Sequence, residues 1–342
     1  MKTQLDYSGA EATWAYLAQE DVILLADANT HGFCLPVLFK QMPFLQGFPR
    51  IVVPAGEAAK DLDVARYIWR QLQDLGAKNN TVLLVVGGGA LCDVGAFCAS
   101  VYKRGMRLRL VPTTLLAMVD AALGGKTALD FEGIKNSIGS FYAAEALYVQ
   151  PDFLNTLPER QRLSGIAEMI KHALLEGGST WENVLQYSPE QFSTLEAIRT
   201  SQAIKMRFVE ADPYDKGIRQ CLNLGHSIGH ALEAERFKRE YPLLHGEAIL
   251  WGMYLELYLS IGHCGLLPQV WQDYTQLFRR LFPALQHIAP IHAEAIMPYL
   301  MHDKKNTKGI RMSLISSPGS PIGPVSVSTS SIIDAIYENC YQ

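Results

Sequence analysis

The chain has 342 residues, 49% of them hydrophobic and 19% charged, and a net charge of −4. That length exceeds a single hydrophobic core, so two domains are expected, and the charge balance excludes general affinity for nucleic acid, which needs a basic face. The six cysteines, Cys34, Cys92, Cys98, Cys221, Cys264 and Cys340, are scattered without a C-x-x-C pair. This speaks against a disulfide framework or a cysteine metal site and for a reducing, cytoplasmic setting. No apolar run of signal-peptide type opens the chain, and the longest apolar stretches are too short to cross a bilayer.

In chain order, Asp21–Ala26, Arg50–Pro54, Thr81–Val86 and Leu108–Pro112 are short continuous apolar runs, each followed by turn residues. They predict buried parallel strands. Leu62–Leu75 carries Val64, Ile68, Leu72 and Leu75 at near-helical spacing, with Gly76 as a stop. This alternation predicts an α/β domain with a mostly parallel, Rossmann-like sheet over residues 1–155. Beyond Pro151 the texture becomes helical, with predicted helices at Leu163–Leu175, Leu195–Glu210, Ser227–Glu235, Glu247–Ile261 and Trp271–Leu281. A mainly α-helical domain is therefore expected over residues 156–342. A strand is predicted at Arg311–Ile315, a surface loop at Ser316–Pro324 and a closing helix at Ser330–Asn339.

Gly87, Gly89 and Cys92 fall on the three positions of a G-x-G-x-x-G template, with cysteine at the last. Such a turn lets a backbone approach a pyrophosphate at a helix start, and equally closes a strand-to-helix turn that holds no ligand. Asp27-x-Asn29 and Thr113-Thr114 also follow predicted strands, whose ends gather at one edge of an open sheet. Gly124-Gly125-Lys126-Thr127 resembles a P-loop fragment, but Asp120 stands where its first glycine belongs.

Glu168, His226 and His245 are a carboxylate and two imidazoles, a set that leaves a tetrahedral ion one open position. His226 and His230 are four apart on a predicted helix and offer a second way to hold a metal. Glu168 lies in an apolar helical stretch, where a metal or Lys171 would offset the cost of burial. Lys126, Lys135, Lys171, Lys205, Arg219 and the Lys304-Lys305 pair are candidates to hold phosphate or carboxylate.

Taken with Lys135-Asn136-Ser137-Ile138-Gly139, Ala167–Lys171, Asn223–His230, His245-Gly246-Glu247 and Asp303-Lys304-Lys305, these blocks resemble the 3-dehydroquinate synthase family of the sugar-phosphate cyclase superfamily. The resemblance runs from about Asp21 to Met312. It implies a dehydroquinate synthase-like fold, a homodimer, and a site in the cleft between the two domains. NAD is implied at Asp27, Asn29, Glu57, Lys60, Gly88, Gly89, Asp93, Thr113, Thr114, Lys135, Phe153 and Thr156. Zn2+ or Co2+ is implied at Glu168, His226 and His245. Substrate binding and catalysis are implied at Arg104, Asp120, Lys126, Asn136, Lys171, Lys205, Arg219, Asn223, His230 and one of Lys304 and Lys305. The implied substrate is a small phosphorylated sugar acid, 3-deoxy-D-arabino-heptulosonate 7-phosphate, converted to 3-dehydroquinate and phosphate in the shikimate pathway. Transient oxidation at C5, β-elimination of phosphate, re-reduction and aldol closure make up that conversion.

The sequence departs from the family pattern at Ala90, Cys92, Ile134, His172 and Asp215, the last standing for a glutamate. The alternatives are a cyclase acting on sedoheptulose 7-phosphate or glucose 6-phosphate, a metal-dependent polyol dehydrogenase, and a non-catalytic binding protein. Intact Gly124–Thr127 and the retained metal and lysine positions favour the first reading.

Overall fold

The computed structural model describes residues 3–7, 14–237, 239, 242–287, 291–301 and 309–340. The chain divides into two compact units, Met1–Pro158 and Glu159–Gln342. Asp303, Lys304 and Lys305 lie outside the described residues.

The first unit is built on a six-stranded sheet whose described pairings are all parallel. Its strands are β1 (Gln4–Asp6), β2 (Val22–Asp27), β3 (Arg50–Val53), β4 (Val82–Gly87), β5 (Arg107–Pro112) and, after a small hairpin, β8 (Ala146–Tyr148), in the order β1-β8-β5-β4-β2-β3. The central strands β2 and β4 are buried at every position, which explains why they read as unbroken apolar runs rather than alternating ones. Helices α1 (Ala28–Phe33), α2 (Leu35–Gln41), α3 (Leu62–Asp74) and α4 (Gly89–Val101) connect or flank them. The hairpin is β6 (Leu129–Phe131) and β7 (Ile134–Ile138), paired antiparallel. It has no counterpart in the predicted elements. Nor do β1 and β8, which are three residues each and too short to show a period.

The second unit holds α5 (Glu159–Glu176), α6 (Gly178–Val184), α7 (Leu195–Ala211), α8 (His226–Arg236), α9 (His245–Cys264), α10 (Pro268–Leu281), α11 (Ala293–Met301), β9 (Ile310–Ser317), β10 (Ser320–Val327) and α12 (Thr329–Cys340). The expected loop at Ser316–Pro324 is corrected: Ser320–Val327 is a strand paired antiparallel with β9. Register shifts beside Pro321 and between Ile322 and Val325 absorb the prolines that suggested a loop.

Helix α9 is the centre of this unit and packs on both α5 and α8. Glycines set how close the backbones come. A Cβ on Gly252 would lie 1.9 Å from the Gly225 carbonyl oxygen, and one on Gly246 would lie 2.0 Å from that of Ser164. Both obstacles are main chain, so nothing can rotate out of the way. The elements that carry Glu168, His226 and His245 are thereby pressed together. At Gly262, in the same helix, a Cβ would meet nothing within 4 Å. Gly252→Ala is expected to destabilise the protein by about 3 kcal/mol or more. Gly262→Ala is expected to stabilise it by roughly 0.5–1 kcal/mol through helix propensity. Chemical denaturation of the two variants checks both signs.

Candidate active site

In the first unit, parallel register aligns Asp27 with Val53, Ala26 with Val86, and Gly87 with Pro112. Four strands therefore end at one edge of the sheet. The segments that follow carry Glu57 and Lys60 after β3, Asn29 after β2, Gly88, Gly89 and Asp93 after β4, and Thr113 and Thr114 after β5. Strands β3 and β4 lie on opposite sides of β2, so the connections diverge there and open a crevice at the strand ends.

The glycine turn is shaped by close neighbours. A Cβ on Gly88 would come 3.1 Å from Cγ2 of Thr114, and one on Gly89 3.0 Å from Cβ of Ala121. The Cys92 side chain packs inward, its thiol directed at the Gly87 carbonyl oxygen at 3.6 Å. The third glycine of the dinucleotide template normally permits close helix–strand packing. Here Gly95 fills that role, since a Cβ on it would lie 2.7 Å from Cγ2 of Val85. The Thr113 N–H donates to the Gly87 oxygen at 2.9 Å and ties the neighbouring loops together. Asp27 caps α1 by accepting the Thr30 N–H at 2.8 Å, while Asn29 and Glu57 are exposed.

Lys60 is buried, and its Nζ lies 2.8 Å from Asp93 Oδ2 and donates to the side-chain oxygen of Asn136. Burial opposes its charge, but the carboxylates of Asp93 and Glu57 outweigh it and raise the lysine above its ordinary value. Asn136 stands at φ +54°, and its N–H donates to Asp130 Oδ1 at 2.8 Å. The N–H of Asp130 in turn donates to the Lys60 carbonyl at 2.8 Å. Lys60 thus ties the β6–β7 hairpin to the start of α4, and joins a residue expected at NAD to one expected at substrate. Lys135 is half-buried on β7, Asp120 lies in a short π-helical turn at Ala117–Ala121, Phe153 is buried, and Thr156 is exposed. Arg104 is exposed and closes a turn in which Lys103, Arg104 and Gly105 all have positive φ. Gly124–Thr127 leads into strand β6 and not into a helix, so the P-loop geometry is absent. Lys126 is exposed in that segment, and its backbone bridges Phe141.

In the second unit, Glu168 is fully buried in the middle of α5, while His226 and His245 are the first residues of α8 and α9. Glu168 Oε1 lies 3.6 Å from Nε2 of His226 and 3.4 Å from Nε2 of His245. Its Oε2 pairs with Lys171 Nζ. Each imidazole is oriented through its other nitrogen. Nδ1 of His226 is 3.2 Å from the Leu224 carbonyl, and Nδ1 of His245 is 3.3 Å from Glu233 Oε2. Both partners can only accept, so Nδ1 of each ring is the donor to them and Nε2 of each ring is left facing Oε1 of Glu168. A carboxylate oxygen and two oriented Nε2 atoms at this separation fit a divalent ion that prefers nitrogen and oxygen ligands. Burial, then Lys171, hold His226 well below its ordinary pKa. Burial also opposes charge on His245, but Glu168 and Glu233 overcome it and push that ring up to about 10, so a metal ion at its Nε2 would have to displace a proton shared with Glu168. The His230 ring is 5.1 Å from that of His226 and 5.7 Å from that of His245, and all three imidazoles offer nitrogens within 4.8 Å of one another.

Lys171, Lys205 and Arg219 are all buried, on α5, on α7 and in the turn Ile218–Asn223. Asn223 closes that turn half-buried, two residues before the N-cap of α8. Asp212 shapes the preceding loop by accepting the N–H groups of Lys216, Gly217 and Arg219 at 3.0, 2.6 and 3.3 Å. The Arg219 guanidinium donates to the Pro213 carbonyl at 2.8 Å.

Two carboxylates, Glu233 and Glu256, escaped the sequence reading of the site, and Glu247 entered it as part of the His245-Gly246-Glu247 block. Glu233 orients His245. Glu247 accepts the Leu244 N–H at 2.7 Å and pairs with Arg160 at 2.6 Å, fixing the start of α9. Glu256 binds the first turn of α8. Of these, Glu256 carried a legible signal, as a lone carboxylate in an apolar helix.

Residues 50–164 match the family model described as 3-dehydroquinate synthase N-terminal, and residues 165–306 the one described as 3-dehydroquinate synthase C-terminal. The chain belongs to the 3-dehydroquinate synthase family. A 3-dehydroquinate synthase of Parabacteroides distasonis is 37% identical over 324 residues, covering 94% of this chain and 91% of the relative. Among solved structures, a 2-deoxy-scyllo-inosose synthase complexed with carbaglucose-6-phosphate, NAD+ and Co2+ superposes with a TM-score of 0.84 at 25% identity, covering 98% of this chain and 96% of the other. A 2-epi-5-epi-valiolone synthase from Streptomyces hygroscopicus with NAD+ and Zn2+ bound superposes with a TM-score of 0.82 at 23% identity, covering 98% and 96%. Likeness at that identity supports the fold alone.

His226→Ala is expected to weaken zinc binding by more than about 100-fold, beyond the loss typical of a change outside the ligand set. Chelator competition measures this. Zinc retained at full affinity would move the ligand set to His230 with His245.

Proposed function

We propose that the chain is a 3-dehydroquinate synthase that uses NAD and one divalent metal ion, Zn2+ or Co2+. The observation that carries this reading is the setting of Glu168, His226 and His245 in a unit that also buries Lys171, Lys205 and Arg219. The carboxylate and imidazoles suit a metal that activates an alcohol. The buried cations suit a substrate bearing phosphate and carboxylate, for which a dehydrogenase of neutral polyols has no comparable need.

When bound, NAD+ supplies a reversible hydride acceptor and the metal polarises the hydroxyl being oxidised. The residues expected to hold NAD are Asp27, Asn29, Glu57, Lys60, Gly88, Gly89, Asp93, Thr113, Thr114, Lys135, Phe153 and Thr156. The four central strand ends support that assignment for those that follow them. Lys126 would hold the phosphate that leaves, and Arg104, Asp120, Asn136, Asn223, Lys205 and Arg219 would hold the rest of the substrate. Lys171, paired with Glu168, would also meet the substrate. His230, exposed beside the two proposed ligands, would move a proton at the substrate hydroxyl. No protein base is assigned to the elimination, because the departing phosphate can take the neighbouring proton itself.

The test is one incubation with 3-deoxy-D-arabino-heptulosonate 7-phosphate, NAD+ and Zn2+, following phosphate and NADH together. One phosphate should appear per turnover while NADH stays below the enzyme concentration. Stoichiometric NADH without phosphate would establish a dehydrogenase instead. Turnover only with sedoheptulose 7-phosphate or glucose 6-phosphate would establish another cyclase. Lys126→Ala should lower kcat by roughly 100-fold, the scale for losing one electrostatic contact to a developing anion, with zinc and NAD+ affinity intact.

A further inference from the structure

Glu256 lies in the apolar middle of α9, between Leu255 and Leu257, and has no exposed surface. A carboxylate in such a place is costly unless fixed dipoles compensate it. Here the compensation is main-chain. Oε2 accepts the Gly225 N–H at 2.6 Å, Oε1 accepts the Ile228 N–H at 3.1 Å, and the Ser227 N–H also bonds the carboxylate. These are the donors that a helix start leaves without intrahelical partners, and they offset part of the burial that pushes this carboxyl up to about 8.

The residue enclosed by these bonds is His226. Peptides on both sides of it are pinned to α9 by one side chain. A second restraint acts on the same turn, because Gly225, at φ +81°, rests its carbonyl against Gly252. A Cβ on Gly225 would itself come 2.5 Å from Cγ of Met253. With the backbone held, the 3.2 Å contact from Nδ1 to the Leu224 carbonyl sets the ring, and Nε2 faces Glu168.

We infer that Glu256 is a positioning residue for the metal site, which holds the first turn of α8 so that the His226 imidazole stays at ligating distance from Glu168 and His245. This rests on the reading of Glu168, His226 and His245 as metal ligands. Glu256 touches neither substrate nor ion. It acts through three backbone N–H groups on the geometry of one ligand.

A helix cap that served stability alone would be lost without altering coordination, and the test separates the two roles. Glu256→Gln keeps the shape of the side chain but turns an acceptor into an NH2 that opposes one of the backbone donors. Tyr274→Phe is the stability control, since it removes another buried hydrogen bond of this unit, the one to the Leu250 carbonyl at 2.6 Å. Both variants and the unaltered chain are titrated with Co2+ against a chelator, and the visible d–d spectrum of the bound ion is recorded. Glu256→Gln should weaken Co2+ binding by about 10–100-fold and change the spectrum, the scale for losing an outer-shell support. Its NAD+ affinity should stay unchanged. Tyr274→Phe should lower the melting temperature and leave both metal readouts alone. A folded Glu256→Gln protein with unaltered Co2+ affinity and spectrum overturns the inference. If that variant does not fold, Glu256→Asp, one methylene shorter, carries the same two outcomes. Failure of the unaltered chain to bind Co2+ would overturn the metal reading itself, a result distinct from a variant that binds normally.

Discussion

A carboxylate with no exposed surface, in the middle of a helix, must have its charge met by something fixed, and the second unit is arranged around Glu168 in that sense. Lys171, one helical turn on, takes one oxygen, and two imidazoles face the other. Each imidazole is oriented through Nδ1 by a separate acceptor, so both turn Nε2 toward the same carboxylate oxygen. The arrangement depends on backbones that approach to glycine distance. Gly246 places the start of α9 against α5, and Gly252 places its middle against α8. A side chain at either position would collide with main chain of α5 or of the turn before α8, and so would push apart the elements that carry Glu168, His226 and His245.

The first unit meets a different constraint. The central strands β2 and β4 are buried at every position and apolar up to their last residues, so their chemistry moves to the strand ends. Register then decides what gathers there. Alignment of Asp27 with Val53 and of Gly87 with Pro112 sets four connecting segments side by side. Lys60 adds rigidity, because its bonds to Asp93 and Asn136 link the start of α4 to a hairpin that has little core of its own. Phe131 and Ile134 of that hairpin are exposed. Its position therefore depends on polar bonds more than on packing.

These two constraints explain what could be read from the chain alone. Continuous apolar runs reported β2, β3, β4 and β5, and the 3.6-residue period reported α3, because burial leaves a mark on composition. The hairpin β6–β7 left no such mark, since Leu129 alone is buried in its two strands while Phe131 and Ile134 are exposed. Strand β10 was concealed by Pro321 and Pro324, which read as loop residues until the register shifts against β9 are known. At the site, the cost of a carboxylate in an apolar helix singled out Glu168, and the same argument applies to Glu256. It could not have said which N–H groups Glu256 meets, because the partners lie 28 and 31 residues away in sequence. Glu233 left no signal, as carboxylates near helix ends are commonplace, and Glu247 was marked only by its place in the His245-Gly246-Glu247 block.

Four of the five departures from the family pattern, Cys92, Ile134, His172 and Asp215, are absorbed locally. Cys92 turns its side chain inward and bonds the Gly87 carbonyl, while Gly95, three residues on, allows α4 to lie close to β4. The glycine turn therefore keeps its open face. Ile134 projects outward, and the positive φ that the hairpin needs is supplied by Glu132 and Gly133 instead. His172 is buried and bonded through Nδ1 to Ser201 at 2.7 Å, which joins α5 to α7 and so fixes the helices that carry Lys171 and Lys205. Asp215 sits at φ +57°, a conformation that aspartate tolerates better than glutamate, inside the loop that Asp212 folds toward Arg219. A shorter carboxylate at that position fits the turn that precedes Arg219, so this difference is one of loop geometry before it is one of charge.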